Sequence, residues 1–304
     1  MFYRDDVAAR ELPNNRLELD RNIGGPRGRF GTWYFAGVTG GGARDTFMGG
    51  MVCRPEPAEP LDGALLAANI EVGLATEGAR DRANLYISGP DDITSTTIDG
   101  EAAALGALYR PRRPYINGTP NPQIPPTDWQ AAQVWLLTRH GLVGLVRLVA
   151  TKEQTVPYLG GEIRMGPRQS IAQDGDVYRC GSLEARILET SFANVTVGPA
   201  RPGYAQQSTE HWAIGLRTPD GPYTATPGEP VHYLASIAPE GAPVAAEAER
   251  LDAAGAEGFA VTVDGVRYAV VFATGDGGAG VALKWPAGQA RVCVDGQEVR
   301  TLTA

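Results

Sequence analysis

From Gly63 to its end the chain is a succession of short apolar runs, cut about every 8–12 residues by turn formers. That rhythm limits the fold more than any other feature. LLAANIEVGL (65–74), ANLYIS (83–88), QVWLL (133–137), LVGLVRLVA (142–150) and GEIRM (161–165) read as strands. So do VYRC (177–180), LEARILET (183–190), NVTV (194–197), HWAIGLR (211–217) and VHYLASI (231–237). FAVTV (259–263), VRYAVVFA (266–273), VALKW (281–285) and ARVCV (290–294) finish the series. Between them stand Gly89-Pro90, Asp99-Gly100, Arg139-His140-Gly141, Asp264-Gly265 and Asp295-Gly296, each able to reverse the chain.

Upstream, residues 2–12 predict a short helix closed by Pro13, and 32–38 (TWYFAGV) and 47–53 predict strands. Residues 102–108 are ambiguous, because Ala and Leu favour helix while the neighbours favour strand. Residues 245–256, rich in Ala and Glu, are the only late helical candidate, and they carry no apolar stripe. Residues 109–129, with six prolines and Asn117-Gly118, predict a long loop without regular structure.

The expected fold is therefore all-β: a large antiparallel multi-sheet β-sandwich, or super-sandwich, with a short N-terminal helix. A soft boundary near 166–176 divides it into a helical lead-in (1–13), a first sandwich part (14–170) and a second (171–304), or leaves one continuous domain. No repeat period supports a propeller.

Composition sets the outer limits. With 304 residues, 43% hydrophobic and 20% charged, the chain can bury a substantial core. A net charge of −8 argues against general attraction to nucleic acid. No run approaches the ~18 apolar residues of a membrane span. Only Lys152 and Lys284 are lysines, so the other basic residues are arginine. Arg is the better bidentate partner for carboxylate and sulfate, but an Ala-, Gly- and Arg-rich chain also fits a GC-rich bacterial genome. Cys53, Cys180 and Cys293 are far apart and show no CxxC or Cys/His spacing of a zinc site, which leaves room for one bridged pair at most, and neither a metal nor another cofactor is expected. The N-terminal residues lack the basic and apolar regions of a secretory signal.

The densest group of ligand-binding side chains lies in 14–35, NNRLELDRNIGGPRGRFGTWYF. Here Asn22, Arg27 and Arg29 flank Gly24-Gly25-Pro26 and Gly28. A loop of this kind can present backbone N–H groups and two guanidiniums to a uronate carboxylate or a sulfate. Trp33 and Tyr34 follow, and a flat aromatic face packs on the C–H face of a sugar. In a strand they point to opposite faces, so only one can do so. The plainer account is a surface turn with solvated arginines. The 109–129 loop adds Arg112, Arg113, Tyr115 and Trp129 as a second wall of a cleft; as an ordered crossover it would bind nothing. His140 falls in a turn, whereas His211 and His232 would form a metal or acid–base pair only if their strands were neighbours.

Residues 133–167, QVWLLTRHGLVGLVRLVATKEQTVPYLGGEIRMGP, and 263–276, VDGVRYAVVFATGD, resemble the C-terminal multi-sheet sandwich of heparinase II/III-like polysaccharide lyases. The resemblance is one of strand rhythm over most of the chain. It implies an acidic polysaccharide or oligosaccharide as partner, no nucleic acid and no membrane. It also implies an N-terminal α-toroid that is missing here, with 14–35 beside the old inter-domain cleft. The family's histidine cluster and zinc ligands have no counterpart, so no catalytic residue carries over. As it stands the chain reads as cytoplasmic; as a fragment of a longer lyase it would be secreted or periplasmic.

The expectation is thus a carbohydrate-active protein of lyase type that acts on or binds a uronic polysaccharide. Asn22, Arg27 and Arg29 would neutralise the carboxylate and Tyr34 would serve as acid or base; Trp33, Arg112, Arg113, Tyr115 and Trp129 would contact substrate. A non-catalytic binding or structural module is the alternative, and a stand-alone enzyme on a small sugar is a third reading.

Overall fold

The computed structural model describes residues 16–20, 25–30, 33–37, 51–55, 65–73, 82–83, 92–98, 100–110, 115–116, 119–120, 128–156, 159–167, 170–199, 211–219, 221–242, 245–253, 256–273, 280–286, 289–294 and 297–303. Among them every regular element is a strand, and no helix is long and apolar enough to cross a membrane. The chain begins with β1 (Arg16–Asp20), β2 (Gly25–Phe30), β3 (Trp33–Gly37), β4 (Met51–Pro55), β5 (Leu65–Gly73) and β6 (Arg82–Ala83). Next come β7 (Asp92–Ile98), β8 (Ala102–Tyr109), β9 (Tyr115–Ile116), β10 (Thr119–Pro120), β11 (Trp129–Thr138), β12 (Gly141–Ala150) and β13 (Gln154–Val156). The middle holds β14 (Leu159–Pro167), β15 (Ala172–Asp174), β16 (Val177–Cys180), β17 (Leu183–Thr190), β18 (Asn194–Pro199), β19 (His211–Arg217), β20 (Tyr223–Ala225) and β21 (Pro230–Pro239). The end is β22 (Ala248–Ala253), β23 (Ala256–Val263), β24 (Val266–Ala273), β25 (Val281–Lys284), β26 (Gln289–Val294) and β27 (Gln297–Thr303).

Three antiparallel sheets make the body. A ten-stranded sheet, β15-β16-β17-β21-β12-β11-β8-β7-β26-β27, is central and draws strands from both sides of residue 170. One core lies between it and the nine-stranded sheet β1-β2-β3-β4-β5-β14-β19-β18, in which β6 pairs with β5. A second core lies on its other face, under the four-stranded sheet β22-β23-β24-β25.

Alternation along single strands shows how one sequence serves both cores. In β11, Trp129, Ala131, Trp135 and Leu137 enter the first core, while Ala132, Val134 and Leu136 enter the second. In β12, Leu142, Val146 and Leu148 go one way, and Val143 and Leu145 the other. A strand covered on both faces reads as a continuous apolar run, not as alternation, which is why 142–150 looks unbroken.

Several local expectations are corrected. Residues 25–30 form a strand, not a Gly/Pro loop: Pro26 has no N–H to give to the ladder, but β2 is long enough to pair on both sides, with β1 and β3. Residues 248–253 are strand β22 despite their Ala and Glu, because pairing with β23 and burial of Leu251 outweigh helix propensity. The 109–129 segment is not wholly irregular, since Tyr115–Ile116 and Thr119–Pro120 pair around Asn117-Gly118. The expected helix over 2–12 lies outside the described residues.

Candidate functional site

The site grows from two adjacent central strands. Arg147 of β12 and His232 of β21 are direct cross-strand partners. Both fall on the face turned toward the four-stranded sheet, where alternation calls for an apolar residue. A charge among β-branched and Leu neighbours is costly unless paired. The pairing comes from across the interface: Glu257 occupies the inward-facing register of β23, in phase with Phe259, Val261 and Val263. Its carboxylate accepts from Arg147 Nη1. The Arg147 guanidinium also lies 4.2 Å over the Phe272 ring, a cation–π contact that helps hold it between the sheets.

His232 is held as firmly. Its backbone N–H donates to Ser191 Oγ (2.7 Å), and its carbonyl accepts from the Ser191 N–H (3.0 Å). The imidazole stands 5.6 Å from the Phe259 ring, tilted by 36°. Burial pushes its pKa below the ordinary 6.5, and nearby Arg250 and Arg147 act the same way, against Glu189 and Glu257. Its resting form is thus the neutral ring. Burial likewise lowers the Arg147 pKa, opposed by Glu257, yet an arginine stays charged.

Together Leu145, Arg147, Pro230, His232, Arg250, Glu257, Gly258, Phe259 and Phe272 line a cavity of about 30 Å³. Two nitrogens here, Arg147 Nε and His232 Nε2, are buried without a hydrogen-bond partner among the described residues. Native proteins rarely leave such groups unsatisfied. That is room for more than a single water molecule and enough for the head of a carboxylate. Apolar walls with a buried cation, a neutral imidazole and a carboxylate at the mouth suit a small oxyanion.

The sequence pointed only partly here. Arg147 was visible as a charge interrupting an apolar run, and His232 as a strand histidine, but nothing in the sequence singled out Glu257. His211 is not the neighbour of His232: β19 belongs to the nine-stranded sheet and β21 to the central one. Among the described residues no group of three or more His, Cys, Asp or Glu side chains could hold a metal ion. His140 bonds to Asp264 at 2.8 Å, beside Arg139 at 3.2 Å, tying two hairpin tips together.

Of the residues expected to bind or react, Arg29 is half-buried in β2 and faces Tyr34 of β3 in register, while Arg27 faces Ala36. Trp33 begins β3, opposite Phe30. Trp129 is 1% exposed, with its ring in the core rather than toward solvent. Tyr115 lies in β9, opposite Pro120. Asn22, Arg112 and Arg113 fall outside the described residues.

No family model and no curated protein matches the sequence. Among solved structures, the heparan sulfate lyase HepC from Pedobacter heparinus shows a weak structural resemblance, with a TM-score of 0.42 and 6% identity. The match covers 95% of this chain and 42% of that one, so the chain spans less than half the length of the lyase.

Proposed function

We propose that this protein is a carbohydrate-handling β-sandwich that binds an acidic polysaccharide or oligosaccharide, taking a uronate carboxylate between its central and four-stranded sheets. One observation carries the reading: among the described residues, the Nε of the buried Arg147, 7% exposed, and the Nε2 of His232 have no partner, and both residues line a cavity with room for a carboxylate head. The sugar ring itself would stay outside, near the exposed Arg250. The chain's net charge of −8 opposes long-range attraction to a polyanion, so the affinity has to arise locally.

Affinity electrophoresis in gels containing uronic polysaccharides tests this. The protein is expected to be retarded, R147M to migrate freely, and a neutral glucan to retard neither. Unretarded migration of the unmodified protein across the panel would sink the reading. R147M should still fold, because Glu257 is 36% exposed and can turn to water.

A lyase activity is the second reading, favoured by the register of β2 and β3, which sets Arg29 opposite Tyr34. β-Elimination needs the uronate carboxylate neutralised, the C5 proton removed and the leaving oxygen protonated. Asn22, Arg27 and Arg29 would do the first, and Tyr34 would act as acid or base. Trp33, Arg112, Arg113 and Tyr115 would contact the chain of sugars, whereas the core residue Trp129 would not. Appearance of unsaturated-uronate absorbance with any uronic polysaccharide supports it, and silence across the panel removes it.

A further inference from the structure

We infer that Glu257 is a tethered stand-in for the ligand: its carboxylate closes the Arg147 site when empty, and an incoming carboxylate displaces it. The inference rests on reading the cleft as a carboxylate site, and it concerns how that site is kept and opened.

A guanidinium buried without a counter-charge is strongly destabilising, so an Arg147 site standing open in the free protein would cost stability. Glu257 removes that cost from inside the chain. The two partners are unequally placed. The Arg147 side chain is 8% exposed and fixed over Phe272, whereas that of Glu257 is 36% exposed at the mouth. The cation is therefore the fixed member and the carboxylate the movable one, able to swing into water at little solvation cost. Its strand is less free. β23 is paired along both edges, with β22 and with β24, so the side chain is the part that yields.

The half of the site that Glu257 does not use is what an external ligand would gain. Among the described residues, Arg147 Nε and His232 Nε2 have no partner while the internal pair is closed. A carboxylate seated in the cavity would accept from Arg147 Nε and, with the ring proton on Nε2, from His232 as well, neither of which the tethered carboxylate engages. The exchange replaces one ion pair by another with more donors, so ligand and Glu257 compete for one cation.

The test uses the full chain with acetate and methyl glucuronoside as carboxylate probes and methyl glucoside as the neutral control, followed by the ring resonances of His232. E257Q removes the competitor, and both carboxylates are expected to bind it roughly tenfold more tightly than the unmodified protein. The control should bind neither. R147M/E257L, an apolar replacement of the pair, keeps the packing and should lose carboxylate binding. Equal affinity of E257Q and the unmodified protein, or undiminished binding by R147M/E257L, overturns the inference. If E257Q does not fold, the double variant still decides. Tighter acetate binding by E257Q without retardation by polysaccharide would leave this mechanism standing and remove the polysaccharide reading. Retardation with no effect of E257Q would do the reverse.

Discussion

Single residues here bear consequences that their neighbours do not share. His232 titrates below its ordinary value when folded, so between that folded pKa and 6.5 the unfolded chain binds more protons. Its neutral burial therefore favours the folded state above about pH 6.5, and that advantage is lost as pH falls toward the folded pKa. Chemical denaturation at a series of pH values should show H232Q losing less stability than the unmodified chain on acidification from 6.5. An identical pH slope in both would mean that the imidazole is not the group responsible. A carboxylate in the cleft favours the imidazolium, so saturating acetate should shrink the difference. The charges facing the ring are Arg147 on its cross-strand partner, Glu257 and Arg250 from the opposing sheet, and Glu189 on β17.

Strands and hairpins set the next scale, and glycine is what lets two of them meet. Trp135 lies opposite Gly144, and a Cβ there would stand 2.3 Å from the indole. That indole is anchored, donating to Gln133 Oε1 at 3.0 Å, while Gln133 donates to the Tyr109 hydroxyl at 3.1 Å. G144A should cost about 1–3 kcal/mol in urea unfolding, as overpacking does; an unchanged midpoint would show that the ring moves freely. In the β23–β24 hairpin, Asp264 (φ 49°) and Gly265 (φ 74°) both occupy the left-handed region, the signature of the tightest two-residue turn. D264N keeps a residue tolerant of that backbone and loses only an exposed ion pair, so its melting midpoint should stay put. D264V forces a β-branched residue into that region and should lower it. Equal melting of the two variants would assign the role of Asp264 to its charge. The Asp-Gly pair was legible in the sequence because turn chemistry is local. Strand β22 was not, because Ala and Glu there favour helix in isolation and only the partner strand overrides them.

At the scale of the whole molecule, the second core depends on how closely its sheets approach. A Cβ on Gly106 of β8 would stand 1.9 Å from the Gly280 carbonyl oxygen, which already accepts from Thr94 Oγ1 at 2.9 Å. Backbone cannot step aside as a side chain can. G106A should therefore be among the most destabilising single-atom additions, at about 3 kcal/mol or more by denaturant unfolding. A cost under about 1 kcal/mol would show that the four-stranded sheet can shift outward.

By itself the sequence determined the class of fold. Short apolar runs such as 133–137 and 142–150 and turn pairs such as Asp264-Gly265 dictate strands and reversals, since these follow from neighbours a few residues apart. Tertiary structure alone decided the site. Arg147, His232 and Glu257 are far apart in the chain and meet only when β12 pairs with β21 and a second sheet closes over them. Register and stacking are cooperative, long-range choices, and no local pattern around Glu257 encodes the cation it faces.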